Sequence, residues 1–277
     1  MHLSGIFIYP VKSLRGTAVE SAAVDVLGLV GDRRFMVVDD DGLFLTQRTL
    51  PRMALAATAL DPAHLVVSAD GHGELRVPLV EEFAVQRTVT IWKSEGLLAE
   101  NCGPAATAWF TEFLGVKAHL VRVGRGFHRP VLKPGRARPD DLTGFADLFP
   151  FLVLGEASVA DLNSRLATVG ENAVPIGRFR TNLLVSGCPP YAEDTWEAFR
   201  IGAVNFRIGG PCARCVITTT DQLTGARGKE PLRTLATYRR SATEPTKINF
   251  AQNAFHETKS GTLRIGDVVA LRTLPSN

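Results

Sequence analysis

The stretch Pro211-Cys-Ala-Arg-Cys-Val-Ile-Thr-Thr-Thr220 carries more information than any other in the chain. Cys212 and Cys215 stand at C-x-x-C spacing, and a β-branched run follows at once. Such side chains favour extended backbone, so Cys215–Thr220 reads as a strand. A thioredoxin-like redox pair instead occupies a helix N-terminus after a strand. A structural zinc site ordinarily needs a second close pair of ligands. Cys102 and Cys188 stand alone, and none of the six histidines has an H-x-x-x-H partner. The plainest alternative is two small packed residues at the start of a strand. Arg214 shifts the balance, because a guanidinium beside a thiol favours the thiolate, the form that binds soft metals. A single thiolate at a strand edge suits a metal whose other ligands come from an organic cofactor.

Outward from this stretch, Asn182–Ser186 and Phe199–Ile208 read as strands, Glu230-Pro231 opens a short helix, and Asp267–Leu271 closes with a strand. Two segments look alike, Phe199-Arg-Ile-Gly-Ala-Val-Asn-Phe206 and Leu263-Arg-Ile-Gly-Asp-Val-Val-Ala270. Each sets a glycine turn before an alternating strand, as recurring turns in a barrel do. Towards the N-terminus, Leu3–Tyr9, Phe35–Asp39, Ala63–Ser68 and Val85–Trp92 are short apolar runs separated by turn signals such as Asp41-Gly42 and Asp70-Gly71. Pro104–Leu114 has helical spacing. A second helix is expected over Ser158–Ala167, with Ser158 as cap and Asp161 at the capping-box position. Residues 124–141, rich in Gly, Pro and Arg, form a loop at a boundary or rim. No βα alternation is present, so the fold expected is α+β, mainly β, antiparallel and barrel-like.

The bulk composition is that of a soluble globular protein, with 45% hydrophobic and 21% charged residues in 277. A net charge of +3 gives no case for a nucleic-acid partner and fits an anionic small molecule. No signal-peptide pattern opens the chain and no apolar run approaches the roughly 20 residues of a membrane span. The expectation is therefore a cytoplasmic protein with reduced cysteines and no membrane partner.

Taken together, PCARCVITTTDQLTG and KEPLRTLATYRR closely resemble the MOSC domain of the mitochondrial amidoxime-reducing components and their bacterial relatives. Matching pieces stand in order along nearly the whole chain: YPVKSLRG (9–16), GDRRFMVVD (31–39), FLTQR (44–48), FADLFPFLVLGEASVADLNSRL (145–166), FRTNLLVSG (179–187), YAEDTW (191–196) and GTLRIGD (261–267). The resemblance implies an N-terminal β-barrel module over 1–122 and a MOSC domain over 123–277, with the cofactor at their interface. It implies a molybdenum–molybdopterin cofactor, with Cys215 as metal ligand and catalytic residue and Cys212 not a ligand. Lys12, Ser13 and Arg33 are then expected to grip the cofactor from one side, and Arg180 and Asn182 from the other, with Arg214 and Asp147 beside them. A phosphate prefers Lys and Arg donors plus a hydroxyl or backbone N–H, and an Asn amide matches a pterin edge.

The implied reaction is reduction of a small N-hydroxylated substrate such as an amidoxime or hydroxylamine. Four cysteines cannot supply both a metal thiolate and an iron–sulfur cluster, so a separate electron-transfer protein or reductase is expected. Rival readings are a sulfur-transfer MOSC protein and a molybdopterin carrier. One departure stands out: Leu148 and Phe149 follow Asp147 where the mitochondrial relatives have hydroxyl residues. Elsewhere the reading is structural. Cys102, Cys188, Trp92, Trp109 and Trp196 are taken as packing residues. The cations Arg122, Arg125, Arg129, Lys133, Arg136 and Arg138 are taken as a pocket rim or a solvated loop, and His128 as a loop residue rather than a proton donor.

Overall fold

A computed structural model describes residues 1–81 and 85–273. The first strands are β1 (His2–Ile8), β2 (Thr17–Val19), β3 (Ser21–Asp25), β4 (Gly28–Leu29) and β5 (Phe35–Val38). Next come β6 (Ala57–Leu60), β7 (His64–Ala69), β8 (Gly73–Pro78), β9 (Gln86–Ile91), β10 (Ser94–Asn101), helix α1 (Gly103–Leu114) and β11 (His119–Arg122). After the 124–141 loop stand β12 (Phe151–Gly155), α2 (Glu156–Thr168), β13 (Leu183–Ser186), β14 (Ala198–Ile201) and β15 (Val204–Ala213). The chain continues through α3 (Leu232–Leu235), β16 (Asn249–His256), β17 (Gly261–Arg264) and β18 (Val269–Arg272). The fold is α+β and mainly β, as the sequence predicts.

The largest sheet has the order β18-β14-β15-β16-β12-β13-β1-β2. Within it β12 and β13 run parallel, joined by the α2 crossover, and the other neighbours are antiparallel. A second sheet, β5-β11-β10-β9, and a meander, β6-β7-β8, belong to the first 122 residues. The N-terminal strands do not all stay in that half. β1 and β2 complete the large sheet, and β3 pairs with β17. One apolar core fills the large sheet's face through Leu3, Ile6, Phe151, Val153, Phe199 and Phe206. Another packs α1 on β5, β7 and β11 through Phe35, Val67, Phe110, Phe113 and Leu120. Among the described residues no helix is long and apolar enough to cross a membrane.

Three local expectations are corrected. Cys215–Thr220 is not a strand: Cys215 is extended and Val216–Thr219 forms a 3₁₀ turn. The Thr218 hydroxyl donates to the Cys215 carbonyl at 2.9 Å and the Thr219 hydroxyl to Val216 at 2.8 Å. These local bonds give the backbone an alternative to a ladder, overriding β propensity. Phe199–Ile208 is two strands, divided by a turn with Gly202 at φ +56°. Its look-alike turn has Gly266 at φ +92°, and the two strands beside these turns pair, Ile201 opposite Val269.

Ser158 does not cap α2. Gly155 stands at the cap, and Ser158 is buried within the helix. Its hydroxyl donates to buried Glu193 (2.8 Å to the nearer oxygen) and accepts the Tyr191 N–H at 2.7 Å. Ser158→Ala leaves that N–H without an acceptor and removes a donor from Glu193, costing about 1–3 kcal/mol. Chemical denaturation tests this; unchanged stability would contradict it.

Candidate active site

The loops leaving β1 and entering β12 and β13 meet at one edge of the large sheet, because β13 is antiparallel to β1 and parallel to β12. β15 stays paired with β16 through two register irregularities as far as Ala213 and delivers Arg214 and Cys215 just beyond. The result is a cleft of about 770 Å³ of empty space, its open mouth included. Lys12, Ser13, Arg33, Asp147, Arg180, Asn182, Arg214 and Cys215 all line it. Residues from both ends of the sequence are thus brought together, along with Arg48, Cys212 and Asn253, to which the sequence reading gave no binding role.

The backbone here is strained. Ser13 (φ 66°), Arg33 (47°) and Arg180 (55°) are in the left-handed region, as is Trp92 (52°) near the mouth. Non-glycine residues there are uncommon and cost about 1–3 kcal/mol each, and such strain collects at functional sites. Close approach matters too: a Cβ on Gly144 would come within 2.8 Å of the Arg33 carbonyl, and one on Gly209 would meet the Phe149 ring.

The charges are crowded. Among the described residues five cations, Lys12, Arg33, Arg48, Arg180 and Arg214, line the cleft against one carboxylate, Asp147. Arg33 donates to Asp32 (2.6 Å), Asn182 (3.0 Å) and the Arg180 carbonyl (3.2 Å). Arg33 and Arg180 both lie over the Tyr9 ring, with centroid distances of 4.6 and 4.3 Å. Burial, then the charge of Arg33, pulls Arg180 down to about 10. Burial pulls Lys12 down to about 8, although Asp147 opposes the shift. Asp147 ion-pairs with Lys12 and with Arg48 (2.8 Å) and is held well below the usual carboxylate range, overcoming its own desolvation. A partly buried surplus of positive charge is unfavourable unless an anion compensates it.

Each amide and thiol has a defined setting. Asn182 is buried; its oxygen accepts from Arg33 and the Leu152 N–H, and its nitrogen donates to Phe7. It therefore fixes Arg33 against β12 and β1. Arg214 donates to Cys212 Sγ at 2.9 Å and to the Phe179 carbonyl at 2.6 Å, while its buried Nε has no partner. Cys215 is a free thiol, partly exposed. Among the described residues no group of three or more His, Cys, Asp or Glu side chains could hold a metal ion. A metal at Cys215 would take its other donors from an organic ligand, and the cation surplus suits a ligand bearing phosphate. The residues present fit a molybdopterin.

Two residues read as structural in the sequence lie close to the site. Trp92 is half exposed at the β9–β10 turn; its indole donates to Asp147 at 3.2 Å and Arg48 stacks on it at 4.9 Å. Arg129, in the Arg-rich loop, is 2% exposed rather than solvated. Arg122 is also buried, paired with Glu100 and Glu81. His128 is exposed and does not line the cleft. The signal for Arg48 was its place in FLTQR; for Arg129 no sequence signal separates it from its exposed neighbours.

Fold and cleft together define a mainly β protein with a cationic binding site and two free thiols, Cys212 and Cys215, at its wall. Residues 1–117 match the MOSC N-terminal beta barrel domain and residues 139–270 match the MOSC domain. The chain is 35% identical to mitochondrial amidoxime-reducing component 1 of Homo sapiens, covering 96% of this chain and 81% of that protein. It is 31% identical to mitochondrial amidoxime reducing component 2 of Homo sapiens, covering 95% and 81%. It is 33% identical to molybdenum cofactor sulfurase of Oryza sativa subsp. japonica, covering 87% of this chain and 31% of the plant protein. The chain belongs to the MOSC-domain family that includes the mitochondrial amidoxime-reducing components.

Proposed function

We propose that this protein is a molybdenum-cofactor-dependent reductase of N-hydroxylated compounds, with Cys215 as the metal's protein ligand. The observation that carries the reading is the convergence of the Cys215 thiol and five cations on a single cleft, in which the second thiol, Cys212, is already engaged by Arg214. Near-complete coverage by relatives named for amidoxime reduction supports it. When bound, the cofactor supplies two-electron redox chemistry. Overall the N–O bond breaks, the nitrogen fragment takes two electrons, and two protons complete amine and water.

The protein's part is binding and orientation. Lys12, Arg33 and Arg180 neutralise the phosphate, and Ser13 adds a hydroxyl. Asn182 holds Arg33 in place, and Arg214, anchored on Phe179, fixes the backbone that presents Cys215. Asp147, half exposed, ion-pairs with buried Lys12 and with Arg48 and keeps both beside the cleft a substrate enters. Electrons come from a separate protein. The division into a module over 1–122 and a domain over 123–277, with the cleft between, is part of the same proposal; residues 82–84 and 274–277 lie outside the described set.

The test is metal and pterin analysis of protein made in cells with an intact cofactor pathway, with turnover of an amidoxime by an artificial electron donor. Near-equimolar molybdenum and pterin with turnover is expected. Loaded protein without turnover favours the carrier or sulfur-transfer reading, to which the sulfurase relative points. Stoichiometric zinc without pterin would sink all three. Arg180→Ala should weaken cofactor retention by about tenfold, since a charge-assisted bond contributes roughly 1.5–3 kcal/mol. Unchanged occupancy under limiting supply would remove Arg180 from the grip.

A further inference from the structure

Residues 144–149 have no regular structure, yet four successive carbonyls are captured by two buried cations. Arg129 donates to Gly144 (2.8 Å), Ala146 (2.6 Å) and Asp147 (3.0 Å). Lys12 donates to the carbonyl of Phe145 at 3.0 Å. The fork is fixed from behind, where Arg129 Nε donates to Ser94 Oγ at 3.2 Å on β10. A planar guanidinium with five N–H donors can hold this set, whereas an ammonium is a point charge with three.

The peptide bonds of this segment are trans. In a trans peptide the N–H points opposite to the C=O. Holding the carbonyls of residues 145–147 therefore turns the N–H groups of Ala146, Asp147 and Leu148 away from Lys12 and Arg129. The Phe145 N–H meets the Arg33 carbonyl at 2.8 Å, but among the described residues those three N–H groups meet no protein acceptor. Ala146 is buried, Leu148 partly so and Asp147 exposed, so these donors are left to water or to a ligand in the cleft. Residues 146–148 line the cleft beside the cations. Successive free N–H groups make an anion-binding concavity.

We infer that Arg129 is a positioning residue: it orients the 145–148 peptides so that three backbone amides bind an oxyanion of the phosphate-monoester class in the cleft. The inference rests on the proposed phosphate-bearing ligand. It also accounts for Leu148 and Phe149, whose side chains cannot donate a hydrogen bond. The donors come from the main chain, and Phe149 packs on Phe255 at 5.0 Å between centroids, bracing the loop.

The test uses the full chain, 15N-labelled and prepared without cofactor, titrated with inorganic phosphate. Phosphate should shift the amide signals of Ala146, Asp147 and Leu148. Arg129→Lys, which keeps the charge and loses the fork, should weaken phosphate by about tenfold, equivalent to ~1.4 kcal/mol, and abolish those three shifts while signals elsewhere stay in place. Ser94→Ala, which leaves the three carbonyl bonds, should retain the shifts. Phosphate binding to the unaltered protein without them overturns the inference, whether or not Arg129→Lys folds. So does an Arg129→Lys protein that binds phosphate with unchanged affinity and shifts. Absence of any phosphate binding to the unaltered protein instead rejects the parent reading of the cleft, and this one with it.

Discussion

Cys215→Ser is expected to lose turnover per bound molybdenum by about a hundredfold or more, or ~2.7 kcal/mol of barrier, while keeping most of its pterin. Serine offers a harder oxygen donor, a poor match for a metal tuned by thiolate. Retention draws mainly on Lys12, Arg33 and Arg180, which the substitution leaves in place. Cys212→Ser should keep its turnover. Cys212 lines the same cleft, but its Sγ accepts from Arg214, and a serine oxygen can accept the same bond. A zinc pair or redox dithiol would be damaged equally by either change. Equal losses, with each variant's turnover divided by its molybdenum content, refute the single-ligand assignment; full activity in Cys215→Ser refutes the proposed function.

Lys12→Met should weaken phosphate or cofactor binding by roughly ten- to a hundredfold, the range of one lost charge-assisted bond. The unaltered protein should show two opposed pH trends that this variant lacks. In the free cleft Lys12 is held at about 8, below its ordinary 10.5, chiefly by burial. It loses its proton as pH rises through about 8, so anion affinity falls above that value. Stability moves the other way. Between about 8 and 10.5 the unfolded chain binds a proton on this lysine that the folded chain does not, so the Lys12 contribution to stability rises with pH across that window. The destabilising term is fully present below about 8. Phosphate titrations and denaturation curves at pH 7, 8.5 and 10 check both trends, the pH values being chosen to bracket the shift at about 8. A phosphate affinity that does not fall above pH 8, or the same profile in Lys12→Met, counts against Lys12 as the titrating contact.

The class of fold, and eight of the residues that line the cleft, were legible in the sequence. Alternating apolar runs, turn glycines and the helical spacing of Pro104–Leu114 are local patterns set by side-chain period, and they located β1, β5, β7, β9 and α1 closely. The ordered motifs named the residues that meet in the cleft. Where local chemistry competed with propensity the reading failed: the threonines after Cys215 closed a 3₁₀ turn through their hydroxyls, and Ser158 bonded Glu193 instead of capping α2.

How these residues act on one another depends on packing between distant segments. The burial of Arg129, against exposed Arg125 nearby in the same loop, depends on four acceptors, from β10 and the 144–147 segment, that no local pattern foretells. The left-handed backbone of Ser13, Arg33 and Arg180 persists because neighbouring elements over-determine it. The lowered Lys12 and the free amides of residues 146–148 are likewise products of packing. Burial, strain and charge coupling act through space between segments as far apart as Phe7 and Asn182, 175 residues along the chain, whereas periodicity and motif spacing act along the chain.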